Sequence, residues 1–88
     1  MSACPRISRF LGITIWVYHN DRAPPHFHAR YAGEEAVIDI ESLAILDGWL
    51  PPRVLGLVEW SIRYRDELRT NWALARDGKT LLPVPPLQ

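Results

Sequence analysis

The chain has 88 residues, 48% of them apolar and four of them Trp (Trp16, Trp49, Trp60 and Trp72), which excludes a disordered segment and implies one compact domain with a thin core. Ten basic residues balance ten acidic ones, so no global field concentrates the protein on nucleic acid or an anionic membrane, and any RNA contact must be local. The single cysteine, Cys4, excludes a disulfide framework, and no apolar run approaches the ~18 residues of a membrane span, so the expected setting is the cytoplasm with no membrane partner.

Residues 7–18 read as two strands around a Leu11-Gly12 turn, with Ile13, Ile15 and Val17 on one face and Thr14, Trp16 and Tyr18 on the other. Residues 19–25 form a loop stiffened by Pro24-Pro25. Residues 26–31 and 35–41 alternate and join around Gly33 as a second hairpin, and a two-residue Gly33-Glu34 turn pairs His28 with Asp39, His26 with Glu41 and Arg30 with Val37. A shift of two in the pairing sum changes these partners and keeps the four polar groups on one face. Leu43, Ala44, Ile45 and Leu46 add a short edge strand before Asp47-Gly48.

Pro51-Pro52 opens a helix that runs to about residue 76. Val54, Leu57, Val58, Ser61, Tyr64, Leu68, Trp72 and Ala75 recur on one side at a 3.6-residue period, opposite Glu59, Arg63, Asp66, Glu67, Thr70 and Asp77, and Gly78 stands at the C-terminal cap. The expected architecture is α+β over residues 1–88: an antiparallel sheet of four to five short strands, in two N-terminal hairpins, packed against one long C-terminal helix. Residues 6–78 form the ordered core, and 79–88 an extended proline-rich tail that lies on the domain or docks on a neighbour.

The chemistry-bearing feature is the His-x-His strand facing an Asp-x-Glu strand. Alternation puts His26, His28 and Arg30 on one face, away from Phe27, Ala29 and Tyr31, and Asp39 and Glu41 on the matching face of the next strand. A carboxylate beside an imidazole fixes its tautomer and supports acid–base work, so His26, His28, Asp39 and Glu41 are the catalytic candidates. No cofactor is required, but His26, His28 and Asp39 are also a candidate first shell for a divalent metal. A satisfied polar surface row is the plain structural alternative. Arg30, Arg65 and Arg69 are the candidate substrate-binding residues, since guanidinium forks match phosphate oxygens; salt bridges to nearby carboxylates are the alternative for the two on the helix. Trp60 and Trp72 are expected in the core or at a partner interface, and Asn71 is either a surface residue or an amide that caps the sheet or orients a substrate.

The string Ile7-Ser8-Arg9-Phe10, the loop Tyr18-His19-Asn20-Asp21 leading to Pro24-Pro25-His26-Phe27-His28-Ala29, and Ala36-Val37-Ile38-Asp39-Ile40-Glu41 together resemble the family called domain of unknown function 4160. Leu50-Pro51-Pro52-Arg53, Glu59-Trp60, Glu67-Leu68 and Asn71-Trp72 extend the resemblance over nearly the whole chain. It implies a small bacterial protein, often encoded beside a partner of the domain of unknown function 2442 type in an arrangement like a toxin–antitoxin pair. The family brings no catalytic residues with it. The leading expectation is thus one component of a two-protein module with RNA-directed acid–base activity at the histidine strand; the alternatives are a non-enzymatic interaction domain, with homo-oligomerisation open to it, and a small metal-binding protein.

Overall fold

A computed structural model describes residues 6–19, 21–51 and 55–87. Five strands, β1 (Arg6–Phe10), β2 (Ile13–Trp16), β3 (His26–Tyr31), β4 (Glu34–Asp39) and β5 (Ile45–Gly48), form one antiparallel sheet in sequence order. Two helices follow, α1 (Leu55–Arg63) and α2 (Arg65–Arg76). The sheet has one dry face: Ile13, Ile15, Val17, Phe27, Ala29, Ala36, Ile38 and Ile40 are buried with Leu57, Trp60, Leu68 and Trp72 of the helices. The period-2 alternation of each strand produces this directly, because every second side chain projects to the same side.

The second hairpin turns at Ala32-Gly33, with φ of 52° and 86°, not at Gly33-Glu34. Two consecutive positive φ values give the turn whose twist matches the flanking strands. The pairing moves by two as a result: His26 faces Asp39, His28 faces Val37 and Arg30 faces Glu35. The observed register puts unlike charges opposite one another, and the Arg30 guanidinium donates to the Glu35 carboxylate.

One long helix was expected where there are two. The break is at Tyr64 (φ −109°, ψ 27°), three residues after the buried Ser61, whose hydroxyl donates to the Leu57 carbonyl at 2.7 Å. Back-bonding of this kind bends helices. The apolar stripe passes through the bend without a change of phase, so Leu57, Trp60 and Ser61 on α1 and Leu68, Trp72 and Ala75 on α2 stay buried, while Val58 is exposed. The expected helix start falls partly on Pro52, Arg53 and Val54, which lie outside the described residues, as does Cys4. At the other end Gly78 N–H bonds to the Ala75 carbonyl and Lys79 N–H to that of Leu74, the paired bonds of a Schellman cap.

Residues 79–87 carry no helix or strand, and hydrogen bonds fasten them along their length, starting with His19 Nε2, which donates to the Lys79 carbonyl at 2.9 Å. The Asn71 side-chain amide donates to the Leu82 carbonyl and accepts from its N–H, at 2.9 and 2.8 Å. Trp60 Nε1 donates to the Pro85 carbonyl at 2.8 Å. Val84, itself buried, donates its N–H to the Ile7 carbonyl of β1. The amide of Asn71 thus serves the backbone of the C-terminal segment.

β5 is the opposite edge. It reaches β4 so closely at Gly48 (φ +79°) that a Cβ there would stand 2.1 Å from the Glu35 carbonyl oxygen. Gly48→Ala therefore meets both a backbone clash and a left-handed φ, and is expected to cost about 2–3 kcal/mol in urea unfolding. Hydrogen exchange should show the loss first at the β4–β5 pairing.

Candidate functional site

The two histidines of β3 project to the side opposite Phe27 and Ala29, and Asp21, in the loop before β3, lies within reach of both. His26 Nε2 lies 2.9 Å and His28 Nε2 3.5 Å from the same carboxylate oxygen, Asp21 Oδ2. His26 Nδ1 is 2.7 Å from the Pro24 carbonyl, an atom that only accepts, so the ring donates N–H there. Its Nε2 is then left facing a carboxylate, and two acceptors at 2.9 Å need a proton or a cation between them. The Ala23–Pro24 peptide of this loop is cis.

Aromatic rings wall the group. His26 lies against Trp72 of α2 with ring centroids 4.9 Å apart, and His28 stacks on Trp16 at 5.3 Å and meets the edge of Tyr18 at 4.7 Å. The side chains of His26 and His28 are 10% and 15% exposed and that of Asp21 27%, so the three polar groups sit in a largely dry setting with one open side. Burial lowers the His28 pKa from its ordinary 6.5, against the opposing pull of Asp21. Burial pushes the Asp21 carboxyl up, but the Arg22 N–H and the two imidazoles outweigh it and bring it below 3.8.

Both shifts act on stability in the same direction. A histidine whose pKa is depressed in the folded state contributes stability above its unfolded value, and that contribution is lost as pH falls through the folded value; the same holds for a depressed carboxylate. Melting of the metal-free protein between pH 7.5 and 3 is therefore expected to show Tm falling first from about pH 6.5 downward, through His28, and again below about pH 3.8, through Asp21. His28→Gln should flatten the upper part of the curve and leave the lower part.

The other candidates from the sequence are placed elsewhere. Asp39 faces His26 across the ladder, but its Oδ1 accepts from the N–H groups of Glu41 and Ser42, at 2.8 and 2.9 Å, and ends β4 in a local turn. Its pKa is lowered, led by the Ser42 N–H. Glu41 receives both arms of the Arg69 guanidinium, at 2.6 and 2.7 Å, and its pKa is lowered by that pairing. Arg69 also binds Asp66, and Arg65 donates to the Ile40 carbonyl. Arg65 and Arg69, through Ile40 and Glu41, fasten α2 to the end of β4, while Arg30 shares the face of the histidines and lies over the Trp16 ring at 5.7 Å.

Asp21 is the candidate residue that the alternation of the strands does not reveal. Cross-strand pairing points to Asp39 and Glu41, whereas the carboxylate beside the histidines comes from the loop; the signal in the sequence is that Asp21 is the only acidic residue between Val17 and His26. Among the described residues, Asp21, His26 and His28 are the one group of three His, Cys, Asp or Glu whose ligand atoms converge, all within 4.8 Å of one another. Tetrahedral ligands at the ~2.05 Å typical of zinc stand roughly 3.3 Å apart, and the separations of 2.9 and 3.5 Å lie on either side of that figure.

Among the described residues no helix is long and apolar enough to cross a membrane. No curated protein and no solved structure matches the chain. The match that identifies it is to a family, over the segment that runs from the first turn through β2 to β5 and α1 into α2: the chain belongs to the domain of unknown function family DUF4160, whose model covers residues 12–73.

Proposed function

We propose that this domain is a divalent-metal protein, with Asp21 Oδ2, His26 Nε2 and His28 Nε2 as three protein ligands and the open side as a position for water or substrate. The observation that carries the reading is the donation of His26 Nδ1–H to the Pro24 carbonyl. A ligating histidine characteristically gives its second N–H to a carbonyl or carboxylate, which fixes the tautomer and aims the other nitrogen at the ion. Two imidazoles and one carboxylate suit zinc, and three ligands with an open fourth position are the arrangement of hydrolytic zinc sites.

The test is metal content after purification and dialysis against zinc. One zinc per chain is expected, with a rise in melting temperature that a chelator reverses; at free zinc 100 times Kd the gain is about 2.7 kcal/mol. Substoichiometric zinc and a melting curve indifferent to chelator would rule the centre out.

A second reading follows the expectation drawn from the resemblance: the chain is one component of a toxin–antitoxin-like pair, its histidines doing acid–base work on RNA without metal. Two observations favour it, the carboxylate set against His26 Nε2 and the exposed Ile45 and Leu46 of β5 with Trp49 just after it, a strand edge suited to a small protein partner. Growth of a bacterial host after induction separates the two. Arrest by the wild type, relieved in the His26→Ala/His28→Ala double variant and unaffected by zinc supply, supports the second reading; undisturbed growth removes the toxin role.

A further inference from the structure

The register aligns residues of the outer sheet face in rows that run across the strands. One row holds Arg9, Thr14, Arg30 and Glu35, and the next holds Arg6, Trp16, His28 and Val37. Between the rows lies a cleft of about 400 Å³ lined by Arg6, Thr14, Trp16 and Arg30. Two guanidinium groups, a hydroxyl and an indole line it, and among the described residues no acidic one does. Arg30 is held in place, its guanidinium over the Trp16 ring and bonded to Glu35. Trp16 is the shared wall, since His28 stacks on the same indole. The cleft therefore opens beside the Asp21, His26 and His28 group, one ring away.

We infer that this cleft binds the phosphate group of a phosphate ester, and so names the substrate class of the adjoining centre; in this respect it rests on the metal-centre reading. Arg6 and the Thr14 hydroxyl supply donors from separate strands to a tetrahedral dianion, the Arg6 fork matching its oxygens in pairs, while Arg30, whose Nε and Nη2 are engaged by Glu35, adds positive charge to the wall. The strands fix the spacing of those donors before the ligand arrives, which reduces the ordering cost of binding. A flat basic surface lacks that arrangement, and the neutral total charge makes the local pair of arginines the source of attraction.

The test titrates the zinc-treated full chain with inorganic phosphate, a ribonucleoside 5′-monophosphate and a single-stranded oligoribonucleotide, following amide and indole NMR shifts, with zinc content measured in parallel. Saturable shifts centred on Thr14, Trp16 and Arg30 are expected. Arg6→Gln and Arg30→Gln should each weaken binding about tenfold or more while zinc content stays as in the wild type. Thr14→Val serves as the third variant should either arginine change disturb folding. Tighter binding of the oligonucleotide than of the monophosphate assigns the cleft to a nucleic acid strand, and equal binding assigns it to a small phosphate ester. Absence of saturable shifts with all three probes, or affinities unchanged in the variants, overturns the inference. Phosphate binding by a chain that takes up no zinc removes the metal centre and leaves the anion site standing.

Discussion

His26→Ala is expected to lower zinc affinity by well over ~100-fold, because loss of a residue that merely supports a ligand already costs 10–100-fold and His26 is proposed to supply a ligand atom itself. The effect has two parts that can be separated. Alanine removes the Nε2 donor, the N–H to Pro24 and the ring packed on Trp72 together, so the metal-free variant should also melt lower than the metal-free wild type. Asp21→Asn removes the carboxylate charge and keeps the shape. It should lose most of the zinc affinity with a smaller change in metal-free stability, since Asp21 is the most exposed of the three side chains. Competitive titration against a zinc indicator, with melting of chelator-treated samples, measures both. Equal zinc binding by wild type and both variants would place any bound ion elsewhere on the chain.

Trp60→Ala should be the most damaging single change to the fold. The ring is fully buried, packs against Phe10, Phe27 and Tyr64 with centroids 5.1 to 6.1 Å apart, and donates to the Pro85 carbonyl. Truncation of a buried Trp costs about 3–5 kcal/mol, a large share of the roughly 5–15 kcal/mol that holds a domain together. Trp60→Phe keeps a ring and removes only the hydrogen bond, so a loss nearer 1–2 kcal/mol is expected once the imperfect fit is included. Urea unfolding followed by circular dichroism compares the two. A small and equal effect from both would mean that neither the aromatic packing nor the C-terminal segment depends on this residue.

What the sequence made legible was set by period. Ile13, Ile15 and Val17 fall opposite Thr14, Trp16 and Tyr18, and His26 and His28 fall opposite Phe27 and Ala29, because alternation along a strand is local. Register is not local in that sense. Ala32-Gly33 and Gly33-Glu34 both satisfy the alternation, and the choice rests on turn twist and on Arg30 meeting Glu35. The helix break escaped notice because the stripe of Leu57, Ser61, Tyr64, Leu68 and Trp72 continues through it in phase. Asp21 escaped for a deeper reason. A loop carboxylate is placed by the path of the whole 17–25 segment, which leaves no periodic trace in the amino-acid order. Arg65 and Arg69 follow the helical pattern, but the pattern does not say that the end of β4, and not the histidine strand, lies within their reach.

The two borders of the sheet differ in a way that limits how copies can associate. Along β1 the chain's own C-terminal segment has taken a place on the border, with Val84 bonded to Ile7, whereas β5 ends the sheet at its other side with Ile45 and Leu46 turned to solvent. A strand added at the β1 border has to displace Val84 from Ile7, a cost that the β5 border does not show among the described residues. Release of residues 79–87 would free the Ile7 carbonyl and make the β1 border as open to strand pairing as that of β5.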